Sequence, residues 1–283
     1  MLDIDHWVGR FLFLLLAVSA LILLLIIIFL FVESWPALSN NGLTSFFNAD
    51  GWFPLEGKLG LLPMLWASLA ITVGAVLIAF PLGLACGIFV SYYSPSIITK
   101  PFLAIVALLA GIPSVVFGLW GLTELVPLVN QWQAPGASLF TGMIVLSLMI
   151  LPTVVLTSKS ALLALPLELS HNAAALALSK KTTITKVLVP AAWRGIAGGL
   201  LLSIVRALGE TMAVLMVAGN VVQIPSGLFE PVRVLTANIA LEMAYATDNH
   251  RAALFVSGLL LMLLVFFIAW ISARINPPAL EAA

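Results

Sequence analysis

Charge is what this sequence has least of. Asp, Glu, Lys and Arg make up 8% of its 283 residues, against 62% hydrophobic residues. A soluble domain carries about 25% charged residues, so lipid rather than water is the natural solvent for this chain. Its net charge is zero, which removes a basic face for nucleic acid. Cys86 is the one cysteine, so an internal disulfide and a cysteine metal cluster are both excluded. His6, His171 and His250 lie far apart and make no zinc spacing. A phosphate-binding loop is missing too. Gly57-Lys58 is followed by Leu59, and Trp52 stands where that loop needs its first glycine. There is no Gly-x-Ser-x-Gly nucleophile turn and no internal repeat. These absences argue against an enzyme. If the chain pumps anything, the energy comes from another protein.

What the sequence has is long apolar runs. A bilayer span needs about 20 mostly apolar residues, and six stretches qualify, at roughly 11–32, 61–92, 101–125, 139–160, 196–219 and 252–272. The expected fold is all-α, a polytopic membrane protein with six transmembrane helices in one domain, 1–283. The first run is too long for a signal-peptide core and lacks a small-residue cleavage site, so it reads as a retained helix. Pro81, Gly83 and Gly87 interrupt the second run, and Gly111, Pro113, Gly118 and Gly121 the third. Gly83 with Gly87, and Gly195 with Gly199, have the four-residue spacing of close helix packing.

Lysine and arginine set the expected orientation. With the N-terminus in the cytoplasm, inner segments hold Arg10, Lys100, Lys159, Lys180, Lys181, Lys186, Arg194 and Arg274. Outer loops hold only Lys58, Arg233 and Arg251. The bias places both termini inside. The first outer loop, 33–60, carries Trp35 and Trp52, read as interfacial anchors. Glu124, Glu242 and His250 read as solvated residues at outer edges. The inner loop, 161–195, is long and rich in alanine and leucine. Its run 169–189 has no proline or glycine, which suits a cytoplasmic helix pair.

Arg206 is the exception to the apolar pattern. It lies ten residues into the fifth run, about 15 Å deep at 1.5 Å per residue, near the midplane of a ~30 Å core. An arginine there costs roughly 2.5–3.5 kcal/mol to insert. Glu210 follows one helical turn later and can partner it, and Ser203, three residues earlier, extends a polar stripe. Two readings stand. Arg206 offers a positive charge to a crossing anion while Glu210 sets its rotamer, or the two form an ion pair that fixes packing.

These residues also carry a family resemblance. Arg206-Ala207-Leu208-Gly209-Glu210-Thr211-Met212-Ala213-Val214 resembles the fifth-span signature of phosphate ABC transporter permeases. Ala110-Gly111-Ile112-Pro113-Ser114-Val115-Val116-Phe117-Gly118 resembles their third-span signature. Of the two related subunits of that family, PstC and PstA, the Glu-Thr-Met-Ala-Val form is similar to PstC. The similarity runs from about Phe31 to the end of the sixth run. It implies the type I ABC importer permease (MetI-like) fold, a place in a bacterial plasma (inner) membrane, and phosphate import by alternating access. Arg206 and Glu210 would lie on the translocation path, beside Ser203. The resemblance also implies partners: a second permease subunit (PstA type), two copies of an ATPase subunit (PstB type) and a phosphate-binding protein (PstS type). ATP and magnesium would be used by the ATPase, with no cofactor in this chain.

The 161–195 loop resembles the EAA loop that docks such permeases on their ATPase, with departures. Pro166, Glu168, Leu169, Ile184 and Pro190 fit. His171-Asn172-Ala173 stand where Glu-Ala-Ala is expected, and Ala177 replaces a glycine. Without that glycine, the bend is expected to be made by another route. A permease for phosphonate, sulfate or molybdate would keep the class and change the anion. A passive anion channel would need no ATP and leave this loop without a role.

Overall fold

The computed structural model describes residues 2–49 and 51–275. Helix α1, Leu2–Asn41, leads into a short outer segment with a two-stranded antiparallel hairpin, β1 (Trp52–Phe53) and β2 (Lys58–Leu59). Helix α2 is Leu62–Ile88, prolonged by a wide π turn at Phe89–Tyr93. Then come α3 (Ser96–Gly111), α4 (Ser114–Trp120), a second π turn and α5 (Val126–Asn130). Helix α6 is Leu139–Leu163. Helices α7 (Leu167–Ala175), α8 (Lys180–Thr183) and α9 (Val189–Ala191) form the connection to α10 (Trp193–Leu208). The chain closes with α11 (Met212–Val217), α12 (Leu235–Glu242) and α13 (Asp248–Ile275).

Among the described residues, four helices are long and apolar enough to cross a bilayer. Two bent pairs raise the number to six if each counts as one span. The α3 to α5 pair bends by 94°. Its cause is local: Ile112 precedes Pro113 and is pushed into an extended conformation, φ −67° and ψ 130°. The third apolar run is therefore two helices at an angle. The second pair is Lys180–Ala191 with Trp193–Leu208, bent by 66°, and the expected continuous fifth helix also ends early. Helix α10 stops at Leu208, the chain turns through Gly209–Thr211, and only then does the short α11 begin.

Helix α6 is the centre of the bundle. Helix α2 packs along one side of it and α10 along another, and both do so at glycines. A β-carbon at Gly83 would lie 2.6 Å from Val154, and one at Gly195 would lie 2.7 Å from Ala161; Gly199 presses as closely on Thr157. The four-residue glycine spacings thus mark both seams. The core spreads from these seams through Ile71, Ala75, Leu146, Ile150, Val214 and Val217, all buried. Helix α1 lies outside it. Its side chains from Phe11 to Val32 are mostly exposed, and it rests on α13 through contacts such as Phe29 on Phe255. Apolar side chains so placed suit a lipid surround.

The seams give a direct test. Gly83→Val forces a branched side chain into Val154, and overpacking of this kind costs about 1–3 kcal/mol or more. Thermal unfolding of the detergent-solubilised protein should fall clearly for Gly83→Val. Gly258→Ala, whose β-carbon would make only ordinary contacts at 3.7 and 3.9 Å, should leave it almost unchanged.

Candidate translocation site

The site is built where α10 ends. Arg206 lies in the last turn of that helix and is exposed. Its Nη1 donates to Thr153 Oγ1 on α6 at 3.3 Å. Glu210 lies past the helix end, so the expected one-turn spacing on a shared face does not exist. Among the described residues the ion pairs are Lys58–Glu56, Arg233–Glu242 and His250–Glu242, and none involves Arg206 or Glu210. The reading of the two as an ion pair is thereby corrected. Glu210 does a different job. Its Oε1 accepts from the Ala213 amide at 3.3 Å, capping the first turn of α11, and its carbonyl accepts from the Thr236 hydroxyl at 3.0 Å. A carboxylate at a helix start satisfies an amide that has no helical partner. The turn after Leu208 separates the arginine from the glutamate, which leaves the guanidinium with a neutral partner.

Ser203 does not extend a polar stripe. It is fully buried, and its hydroxyl donates to Gly199 O in its own helix at 2.9 Å. Of the three residues expected together, the structure presents Arg206 openly, gives Glu210 a backbone role and turns Ser203 into packing.

At one end of the bundle, α7, α8 and α9 make the expected helix pair as a helix–turn–helix. Glu168 sits in the first turn of α7, where a carboxylate suits the helix dipole. The turn is made at Ala177 itself, with φ +52°. The Ala177 amide donates to Ala174 O at 2.9 Å and the Leu178 amide to Ala173 O at 3.1 Å. This is the Schellman pattern that ends helices, with alanine in the left-handed position usually given to glycine. The bend thus needs no other route. Ser179 then caps α8 by accepting from the Thr182 amide at 3.3 Å. Glu168, His171, Ala177 and Pro190 are exposed, whereas Ala173 is buried under them. Lys180 lies over the Tyr93 ring, 4.7 Å from its centre, and joins this unit to the end of α2.

The opposite end holds a network that the sequence reading missed. Glu242 is only 7% exposed and takes three donors. Arg233 Nη1 reaches Oε1 at 2.6 Å, while Trp52 Nε1 at 2.6 Å and His250 Nε2 at 2.9 Å meet Oε2. Arg233 also donates to Asn220 O and Asn238 Oδ1. Trp52 is buried, not an interfacial anchor, and Glu242 and His250 are not solvated. The missed signal lies in the types: an acid, an arginine, a histidine and a tryptophan in two outer loops can satisfy each other. Nearby, Ser226 gives its amide and hydroxyl to Glu230, which holds that carboxyl below its ordinary range.

The bundle thus has up to six spans, two of them bent, with an exposed arginine in the last turn of α10 and a helix–turn–helix at one end. Similarity to known proteins defines its class. The chain belongs to the family of binding-protein-dependent transport system inner membrane components, whose profile matches residues 79–280. It shares its fold with the MetNI methionine ABC transporter in an inward-facing conformation, with a TM-score of 0.61 at 20% identity over 76% of this chain and 94% of that one. Within the family it resembles PstC-type permeases. The phosphate transport system permease protein PstC of Mesorhizobium japonicum is 34% identical over 84% of this chain and 80% of that protein. The probable ABC transporter permease protein YqgH of Bacillus subtilis is 38% identical over 87% of this chain and 84% of that protein.

Two predictions follow from the local geometry. A left-handed alanine costs about 1–2 kcal/mol that glycine avoids, so Ala177→Gly should raise stability by up to about 1 kcal/mol after glycine's own entropy cost; thermal unfolding reads this directly. At the other end, Glu242→Ala leaves the part-buried Arg233 without its counter-charge. Removing one partner of such a pair costs about 3 kcal/mol. Limited proteolysis should then cut the 43–61 and 220–234 segments much faster than in the parent protein.

Proposed function

We propose that this chain is a membrane permease subunit that moves inorganic phosphate inward by alternating access. The observation that carries the reading is the state of Arg206. It is exposed at a helix break, and its hydrogen-bond partner is a neutral hydroxyl. Among the described residues no acid pairs with it, so its charge is available to an anion. An ionisable residue inside a membrane bundle marks an ion path by default, and sites of this kind form where membrane helices are discontinuous. The likeness to proteins named as phosphate transport permeases supports phosphate as that anion. Glu210 acts on the path indirectly, by fixing the turn that frees Arg206, and Ser203 by packing α10 on itself.

In this reading both termini and the 161–195 unit face the cytoplasm, and the Glu242 network faces outward. The exposed Glu168, His171, Ala177 and Pro190 present the docking surface to an ATPase, with Ala173 supporting it from beneath. The complete transporter comprises a second permease subunit of the PstA type, two PstB-type ATPase subunits and a PstS-type phosphate-binding protein. ATP and magnesium act in the ATPase pair, and this chain holds no cofactor. Closure of that pair pushes on α7 to α9 and reorients the bundle.

The test is ATP-driven uptake of labelled phosphate by proteoliposomes holding the complete complex. A hydrogen bond to a charged group is worth about 1.5–3 kcal/mol, so Arg206→Ala should cut uptake by about tenfold or more while the complex still assembles. Wild-type complex that hydrolyses ATP but takes up no phosphate would reject phosphate. Phosphonate, sulfate and molybdate would then be tried in the same vesicles.

A further inference from the structure

Several hydroxyls on the membrane helices of this protein share one pattern, and Thr153 departs from it. Ser68 donates to Met64 O at 2.8 Å, Ser91 to Gly87 O at 2.8 Å, Thr157 to Thr153 O at 2.8 Å and Ser203 to Gly199 O at 2.9 Å. Each spends its proton on the carbonyl one turn back, the usual fate of such groups in a helix. Thr153 does not. Its hydroxyl oxygen accepts from Arg206 Nη1 at 3.3 Å, and among the described residues its proton has no acceptor. Thr153 follows Pro152 on α6 and is half-buried, beside the exposed Arg206.

We propose that Thr153 is a specificity-determining residue of the translocation site, presenting its hydroxyl proton to the same tetrahedral oxyanion that Arg206 attracts. The inference rests on the phosphate-permease reading above. The chemistry is set by what each group can give. A hydroxyl has one proton and two lone pairs. Accepting from the guanidinium uses a lone pair and turns the O–H away from the N–H that it receives. The remaining guanidinium donors and the hydroxyl proton then lie side by side where Arg206 is exposed. An oxyanion with several acceptor oxygens can meet both donors at once. The arginine supplies charge and the threonine supplies a second, neutral donor at a fixed distance from it. The same contact holds Nη1 in place, so less side-chain freedom is lost when the anion arrives.

The experiment uses the complete complex in proteoliposomes and follows initial rates of ATP-driven phosphate uptake against outside phosphate, after loading by its binding protein. Assembly is checked by co-purification. Thr153→Val keeps shape and removes the hydroxyl; the expected result is loss of about tenfold in kcat/KM for phosphate. Thr153→Ser keeps the hydroxyl and should restore most of it, which a role in packing alone would not allow. In an Arg206→Lys background, Thr153→Val should add much less than in the wild type, because the pair acts together. Should Thr153→Val fail to assemble, Thr153→Ala removes the hydroxyl without a branched replacement and is read the same way. Wild-type kinetics in the hydroxyl-free variants, or a serine variant no better than valine, would overturn the role of Thr153. Those outcomes leave wild-type uptake intact. Failure of the phosphate reading itself shows instead as no phosphate uptake by the wild type.

Discussion

A membrane helix that breaks must find new partners for the backbone groups it frees, because lipid offers none. Much of this structure depends on how that demand is met after Leu208. Glu210 answers it twice, with its carboxylate on the Ala213 amide and its carbonyl receiving Thr236. The acid is thereby committed to the backbone. Arg206, four residues earlier, is left with a hydroxyl and an open approach. The arginine's availability is thus a by-product of helix capping. An uninterrupted helix would have put the two charges side by side and cancelled one with the other.

The break holds because α6 behind it is firmly gripped. Glycines on α2 and on α10 bring both helices onto α6 at distances that no larger residue allows. Association of helices in lipid relies on such close contact, since burial from water contributes little there. One consequence is that Thr153, Thr157 and Arg206 are held at a seam whose spacing is set by backbone. Side-chain adjustment has little part in it.

The sequence carried the fold class, the six apolar runs and the break in the third, because hydropathy and length are summed properties that no single contact can reverse. The second run, also expected to be interrupted, continues from Leu62 to Tyr93. It also picked out Arg206, the one charge whose placement has a large cost. It failed where the outcome depended on a backbone angle. The i, i+4 spacing of Arg206 and Glu210 predicts a pair only if the helix continues, and the turn at Gly209–Thr211 removes that premise. Ala177 misled in the opposite way, since the absence of glycine suggested another bend and the chain accepted the strain instead. The Glu242 network was unreadable because its members come from segments nearly two hundred residues apart, and only the folded chain brings Trp52 to Glu242.

The network at Glu242 has an electrostatic consequence for the whole passage. On the proposed orientation, Arg233 and Lys58 on the outer side are each neutralised by a neighbouring acid, and Arg251 shares its cavity with Glu33 and Asp248. On that reading the described cations of the outer side give an anion little reason to linger there. Along the proposed path, the first positive charge without an acid partner among the described residues is Arg206, so the energy of an anion would fall toward it. An arriving ion is on that reading drawn past the entrance, and the turn between α10 and α11 becomes the point from which it must be released.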